Sequence, residues 1–221
     1  MIVVAIIVVA IIVRVTRELI DALLLQQDTE FSTDFGHVNH LLASTISETP
    51  QAELLAAGRE LIASDAARRR ILGTRLLREL GEHAGQAVAE LTWLLDRELD
   101  RENDDEVLYW VVSALGFLGG APVTAGLTGL AAHGDPGIRY HVATALANAG
   151  TGELPEESRA TLISLAQDPN AEVRFSAVFE LGAWWQAAPD ARVEAVLRRA
   201  CRDSDRATAQ AARSALGEDQ N

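Results

Sequence analysis

A tandem repeat constrains this chain more than any other feature. Leu followed by a small residue recurs as Leu80-Gly81, Leu115-Gly116, Leu146-Ala147, Leu181-Gly182 and Leu216-Gly217, at spacings of 35, 31, 35 and 35. Upstream of each mark lies an amphipathic stretch of about ten residues. In Val173-Arg174-Phe175-Ser176-Ala177-Val178-Phe179-Glu180-Leu181 the apolar positions Val173, Ala177, Val178 and Leu181 follow helical spacing. A turn precedes it: Asp135-Pro136-Gly137, Asp168-Pro169-Asn170 or Asp203-Ser204-Asp205. Asp caps a helix start and Pro cannot continue the preceding helix. Before the turn runs another apolar helix, such as Ala160 to Ala166 or Val193 to Ala200. The unit is helix, turn, helix; it cannot bury its apolar face alone, so neighbours must stack.

Composition agrees with this reading. With 48% hydrophobic and 23% charged residues the chain can support a packed core. Aromatics are only 5%, and Ala, Leu, Arg and Glu are good helix formers. The formal charge of −13, from 32 acidic and 19 basic residues, repels phosphate backbones and anionic membrane surfaces, so no nucleic-acid partner is expected. Cys201 is the only cysteine, which excludes an intramolecular disulfide and suits a reducing, cytoplasmic setting.

The segments LISLAQDPNAEVRFSAVFELG and LTGLAAHGDPGIRYHVATALANAG resemble HEAT repeats, in the bacterial HEAT-like form also found in phycobilin lyases. The match is good over 125–182, fair over 86–120 and 190–217, and weak over 52–81. The resemblance implies an all-α, right-handed α-solenoid of about five antiparallel helix pairs over residues 51–221, after an N-terminal extension over 1–50. It also implies that the turn Asp and the Arg after Val or Ile pair between successive repeats. Those roles would fall to Asp135, Asp168, Asp203, Arg139 and Arg174. Leu108 and Ala209 stand where further Arg residues would be, so the ladder is incomplete. At solvent-exposed positions such pairs would fix register rather than add much stability.

Residues 2–13, IVVAIIVVAIIV, are low-complexity. As a helix they span about 18 Å, short of the roughly 30 Å hydrocarbon core, and Arg14 and Arg17 follow directly. Three readings stand: an element packed on the solenoid end, a membrane or partner anchor, or a mis-assigned translation start.

In HEAT-type solenoids the second helices line the concave side. Alignment on Leu-Gly places Tyr109, Tyr140 and Phe175 at one position in three consecutive second helices. Phe179 lies one turn beyond Phe175 on the same face, with Trp110 and His141 beside the stripe. Aromatics at equivalent positions suit protein recognition; packing between repeats is the other reading. Of Trp184 and Trp185, one is expected to staple a repeat junction. The acidic run Asp96 to Glu106 is a solvated loop or helix end, or a face for a basic partner. Arg68, Arg69, Arg70, Arg75 and Arg78 form the one basic cluster, read by default as a helix face balanced by acids.

Chemistry-bearing motifs are missing. The histidines His37, His40, His83, His133 and His141 are scattered, and only His37 and His40 share a helical spacing, without a third ligand. There is no phosphate-cradling glycine loop, nucleophile elbow or Cys-x-x-Cys, and no catalytic, metal or cofactor-binding residue is assigned. The His-Glu pairs of deoxyhypusine hydroxylases do not occur. The basic cleft of HEAT-like alkylpurine DNA glycosylases conflicts with the charge. The expected function is a non-catalytic adaptor holding a protein partner, in a sharper form a basic one such as a toxin met by an immunity-type or regulatory protein. The alternative is a lyase-type chaperone of a pigment or other small ligand.

Overall fold

The computed structural model describes residues 50–100, 104–122, 125–149 and 153–218; the N-terminal apolar run, His37 and His40 lie outside them. Ten α-helices and no strands occur among the described residues: α1 Gln51–Ile62, α2 Ala67–Arg78, α3 Ala84–Leu99, α4 Asp105–Leu118, α5 Ala125–Gly129, α6 Pro136–Ala147, α7 Glu156–Leu165, α8 Ala171–Ala187, α9 Ala191–Ala200 and α10 Arg206–Leu216. None is long and apolar enough to cross a membrane. The chain divides into two compact units, residues 1–90 and 91–221.

In the first unit α1 packs on α2, burying Leu54, Leu55, Leu61, Ile62, Ile71, Leu72, Leu76 and Leu77. The arginine cluster is not an open basic face. Arg70 and Arg75 are 5% and 8% exposed, and Arg70 Nη1 donates to the carbonyls of Ser64 and Asp65. Burial pushes the Arg75 guanidinium below its ordinary pKa, with Arg78 adding repulsion.

The second unit is an all-α solenoid of stacked helices. The second helices α4, α6, α8 and α10 pack consecutively, and α7 and α9 pack against them. Val107, Leu108, Val111, Ile138, Val142, Leu146, Val173, Val178 and Leu181 are all fully buried between them. The 31-residue spacing between Leu115 and Leu146 has a local cause: α5 has five residues and then a single 3-10 turn, whereas α7 and α9 have ten each.

Each second helix starts the same way. Asp104, Asp135, Asn170 and Asp205 precede their helices, and each side chain accepts a backbone N–H from the first turn, satisfying donors that the helix leaves unpaired. At the other end, side chains of a neighbouring repeat reach across. Asn148 Nδ2 donates to Gly116 O, Trp184 Nε1 to Ala147 O and Gln186 Nε2 to Ala215 O. Trp184 is therefore the staple between repeats, and Trp185 is also half-buried. Close approach needs glycine at Gly182, where a Cβ would sit 2.8 Å from Ala215 Cβ.

Between repeats runs the arginine ladder. Arg139 donates to both carboxylate oxygens of Asp168, and Arg174 to both of Asp203. Two parts of the expectation need correction. Asp135 is not a rung. It stands eleven residues before its Leu mark, Leu146, and caps α6, whereas Asp168 and Asp203 stand thirteen before theirs, Leu181 and Leu216. His133 occupies that earlier position: its Nδ1 accepts the Asp135 amide, as Asp168 accepts from Asn170 and Asp203 from Asp205. The rungs are also not solvent-exposed; their side chains are 12% and 7% exposed for Arg139–Asp168, and 16% and 13% for Arg174–Asp203.

Candidate functional site

The N-terminal halves of α4, α6, α8 and α10 converge on an open groove of about 480 Å³, lined by Tyr109, Tyr140, His141, Phe175, Glu172 and Asp205 among others. Caps fix where these helices begin, so residues in the second turn, five positions after each cap, share a level from repeat to repeat. That is how a common sequence position becomes a common place in space. Tyr109 meets His141 edge-on at 4.7 Å between ring centroids, and Tyr140 meets the same ring at 5.2 Å. Trp110 touches Tyr109 edge-on at 5.7 Å but is not among the groove-lining residues.

A second open groove of about 450 Å³ follows α8 and α10, lined by Phe175, Phe179, Ala183, Ala207, Ala211 and Gln210 among others. The grooves share Phe175 and Ala207. Phe175 and Phe179 lie one helical turn apart, stacked at 6.0 Å between centroids. Phe179 is 57% exposed, and Trp93 and Phe117 are the other large exposed hydrophobics among the described residues. So Tyr109, Tyr140, His141 and Phe175 come together in one groove, Phe179 continues it, and Trp110 supports it from the side.

The electrostatics of this trough are one-sided. No arginine is among the lining residues of either groove, while Glu172 and Asp205 rim the first. The Asp205 carboxylate is committed to the Thr208 amide and hydroxyl, which hold it below the usual carboxylate range. Glu172 is exposed, and its carboxylate meets no donor or cation among the described residues. Sequence reasoning missed Glu172 because it looks like an ordinary first-turn acid; its signal was alignment beside the aromatic position.

A wider depression of about 900 Å³ on the turn side contains Arg174, Arg198, Arg199 and Arg202. Its cations are mostly committed: Arg174 to Asp203, Arg198 to Glu194, and Arg199 to Gln167. Burial and the Glu218 carboxylate push the thiol of nearby Cys201 up, which lowers its thiolate fraction. Among the described residues no group of His, Cys, Asp and Glu is placed to hold a metal ion.

Solved helical-repeat proteins are similar to this chain in fold. The designed armadillo repeat protein YIII(Dq)4CqI is 15% identical, with 91% of this chain and 98% of that chain covered and a TM-score of 0.54. The designed armadillo repeat protein YIII(Dq.V1)4CPAF in complex with peptide (KR)4 gives 14%, 91%, 98% and 0.58. An archaeal HEAT-like repeats protein from Thermococcus onnurineus NA1 gives 15%, 92%, 79% and 0.57. The chain has a HEAT-like repeat fold. At these identities the likeness concerns the solenoid and not its use. No protein-family model matches the sequence, and no curated protein matches it.

Proposed function

We propose that this solenoid is a non-catalytic binding scaffold, and that the trough over Tyr109, Tyr140, His141, Phe175 and Phe179, with Trp110 at its side, is where it holds a protein partner bearing a basic segment. The observation that carries the reading is the juxtaposition of aromatic rings with two carboxylates and no arginine among the lining residues. Aromatic faces give a partner large contact area and attract cations through the ring quadrupole. The uncommitted Glu172 carboxylate adds directed charge, and the net charge of −13 steers a basic partner toward the molecule.

The open form of both grooves favours a peptide over a pigment. Small-ligand sites enclose most of their ligand, whereas these troughs run along helix surfaces. The fold is also one that can be used this way, since a designed armadillo repeat protein of similar fold is seen in complex with peptide (KR)4.

The test is capture from the source organism's lysate with wild type beside a Tyr140→Ala/Phe175→Ala/Phe179→Ala variant whose helicity is checked by circular dichroism. A basic protein retained by wild type and lost by the folded variant supports the reading. Equal capture by both moves binding off the trough and ends it.

A further inference from the structure

The two adjoining grooves differ in chemistry, and the difference specifies the segment they accept. The first combines tyrosine and histidine rings with two carboxylates, Glu172 and Asp205. The second is built from Phe175, Phe179 and alanines 183, 207, 211 and 215, with Gln186, Gln210 and Ser214 as its polar members and no charged one. A cation is welcome in the first, where rings and carboxylates replace its water. The same cation in the second would lose hydration with no charge to compensate, whereas an aliphatic side chain there removes apolar surface from water at no polar cost.

The adjacency of the grooves sets the spacing. They share Phe175 and Ala207 as a common wall, so side chains seated in the two grooves must be nearest neighbours on one face of the bound segment. In an extended peptide, side chains on one face recur every two residues, roughly 6.6 Å apart. Neighbouring side chains point to opposite faces, and residues four apart overshoot at roughly 13 Å. A two-residue step therefore matches the two grooves.

Resting on the reading that the trough binds protein, we infer that it recognises an extended segment in which a basic residue and an aliphatic residue lie two positions apart. The basic side chain sits over Tyr109, Tyr140 and Glu172; the aliphatic one sits against Phe175, Phe179 and Ala211. Glu172 is the residue that selects for charge, because Asp205 is already occupied by its own helix.

The experiment is selection of a phage-displayed library of random 12-residue peptides on the full chain, followed by titration of synthetic consensus peptides. Wild type, Glu172→Lys, Phe179→Ala and Tyr140→Ala are compared; Glu172 and Phe179 are exposed, and circular dichroism confirms each fold. The expected result is enrichment of a Lys or Arg two positions from Leu, Ile or Val. Glu172→Lys then weakens the consensus peptide by about fivefold or more, as an exposed charge contact allows, and Phe179→Ala weakens it while leaving its preference for a basic residue intact. A consensus of different spacing or charge that still depends on Tyr140 overturns the two-position rule and leaves the trough as the binding face. A consensus indifferent to all three variants overturns both.

Discussion

Arg139 grips Asp168 of the next repeat with two parallel hydrogen bonds, Nε at 2.7 Å and Nη2 at 2.8 Å, while its Nη1 donates to the carbonyls of His133 and Gly134. One planar guanidinium thus ties its own turn to the following one. Arg174 repeats the arrangement with Asp203 and the carbonyls of Asp168 and Pro169. Only arginine offers donors in this fork, so Arg139→Lys is expected to lose most of what Arg139 contributes.

Breaking a rung leaves a largely desolvated charge behind. Asp168→Asn should cost about 2 kcal/mol in urea unfolding, between the values for exposed and fully buried pairs. Arg139→Ala combined with Asp168→Asn should show coupling of about 1 kcal/mol or more; additive costs would deny the rung any stabilising role.

The same rungs set the acid limit. Burial pushes the Asp168 carboxyl up, but Arg139, the Asn170 amide and the charge of Arg174 outweigh it and hold it below its ordinary range. Asp203 is held low chiefly by Arg174. A depressed folded pKa gives stability that is present above the unfolded value, near 4, and lost as pH falls through the folded one. The urea midpoint should hold from pH 7 to about 5 and drop below about 4. Asp168→Asn should flatten that drop, and an unchanged slope would separate the rungs from acid unfolding.

Glu180 runs the other way. The equivalent positions in other repeats hold Ala114, Ala145 and Ala215, and burial raises its carboxyl pKa despite a hydrogen bond with Thr144. A raised folded pKa means the charged form costs stability, a cost that grows as pH rises from the unfolded to the folded value and persists above. Glu180→Gln should stabilise the protein at pH 7 by about 0.5 kcal/mol, and the gain should vanish near pH 3.5. A loss at pH 7 in thermal unfolding would contradict this.

Helix positions were legible because the repeat exposes the same apolar spacing several times over; Val173, Ala177, Val178 and Leu181 are all fully buried as their period requires. The meeting of Tyr109, Tyr140 and Phe175 was legible for the same reason. The register of the ladder was not, because Asp serves both as rung acceptor and as helix cap two residues later. Asp135 and Asp168 look alike in sequence but belong to different positions. Nor could the sequence assign His133 as an Asp surrogate, since that depends on Nδ1 facing the Asp135 amide at 3.1 Å. The buried arginines of α2 were hidden by their charge, which pattern reading places outside by default.

The Tyr109 ring lies against α6, where a Cβ added to Gly137 would come within 3.1 Å of it, and packs edge-on to His141. Phe179 is mostly in solvent. The two therefore separate packing from recognition within one stripe. Tyr109→Ala should lower stability by about 1–2 kcal/mol, reflecting lost ring contacts and buried area. Phe179→Ala should stay within about 0.5 kcal/mol, as for other exposed substitutions. A folded Phe179→Ala protein that loses its partner would then have lost a contact and not a scaffold, whereas a large fall in its melting temperature would return that aromatic to the packing of the solenoid.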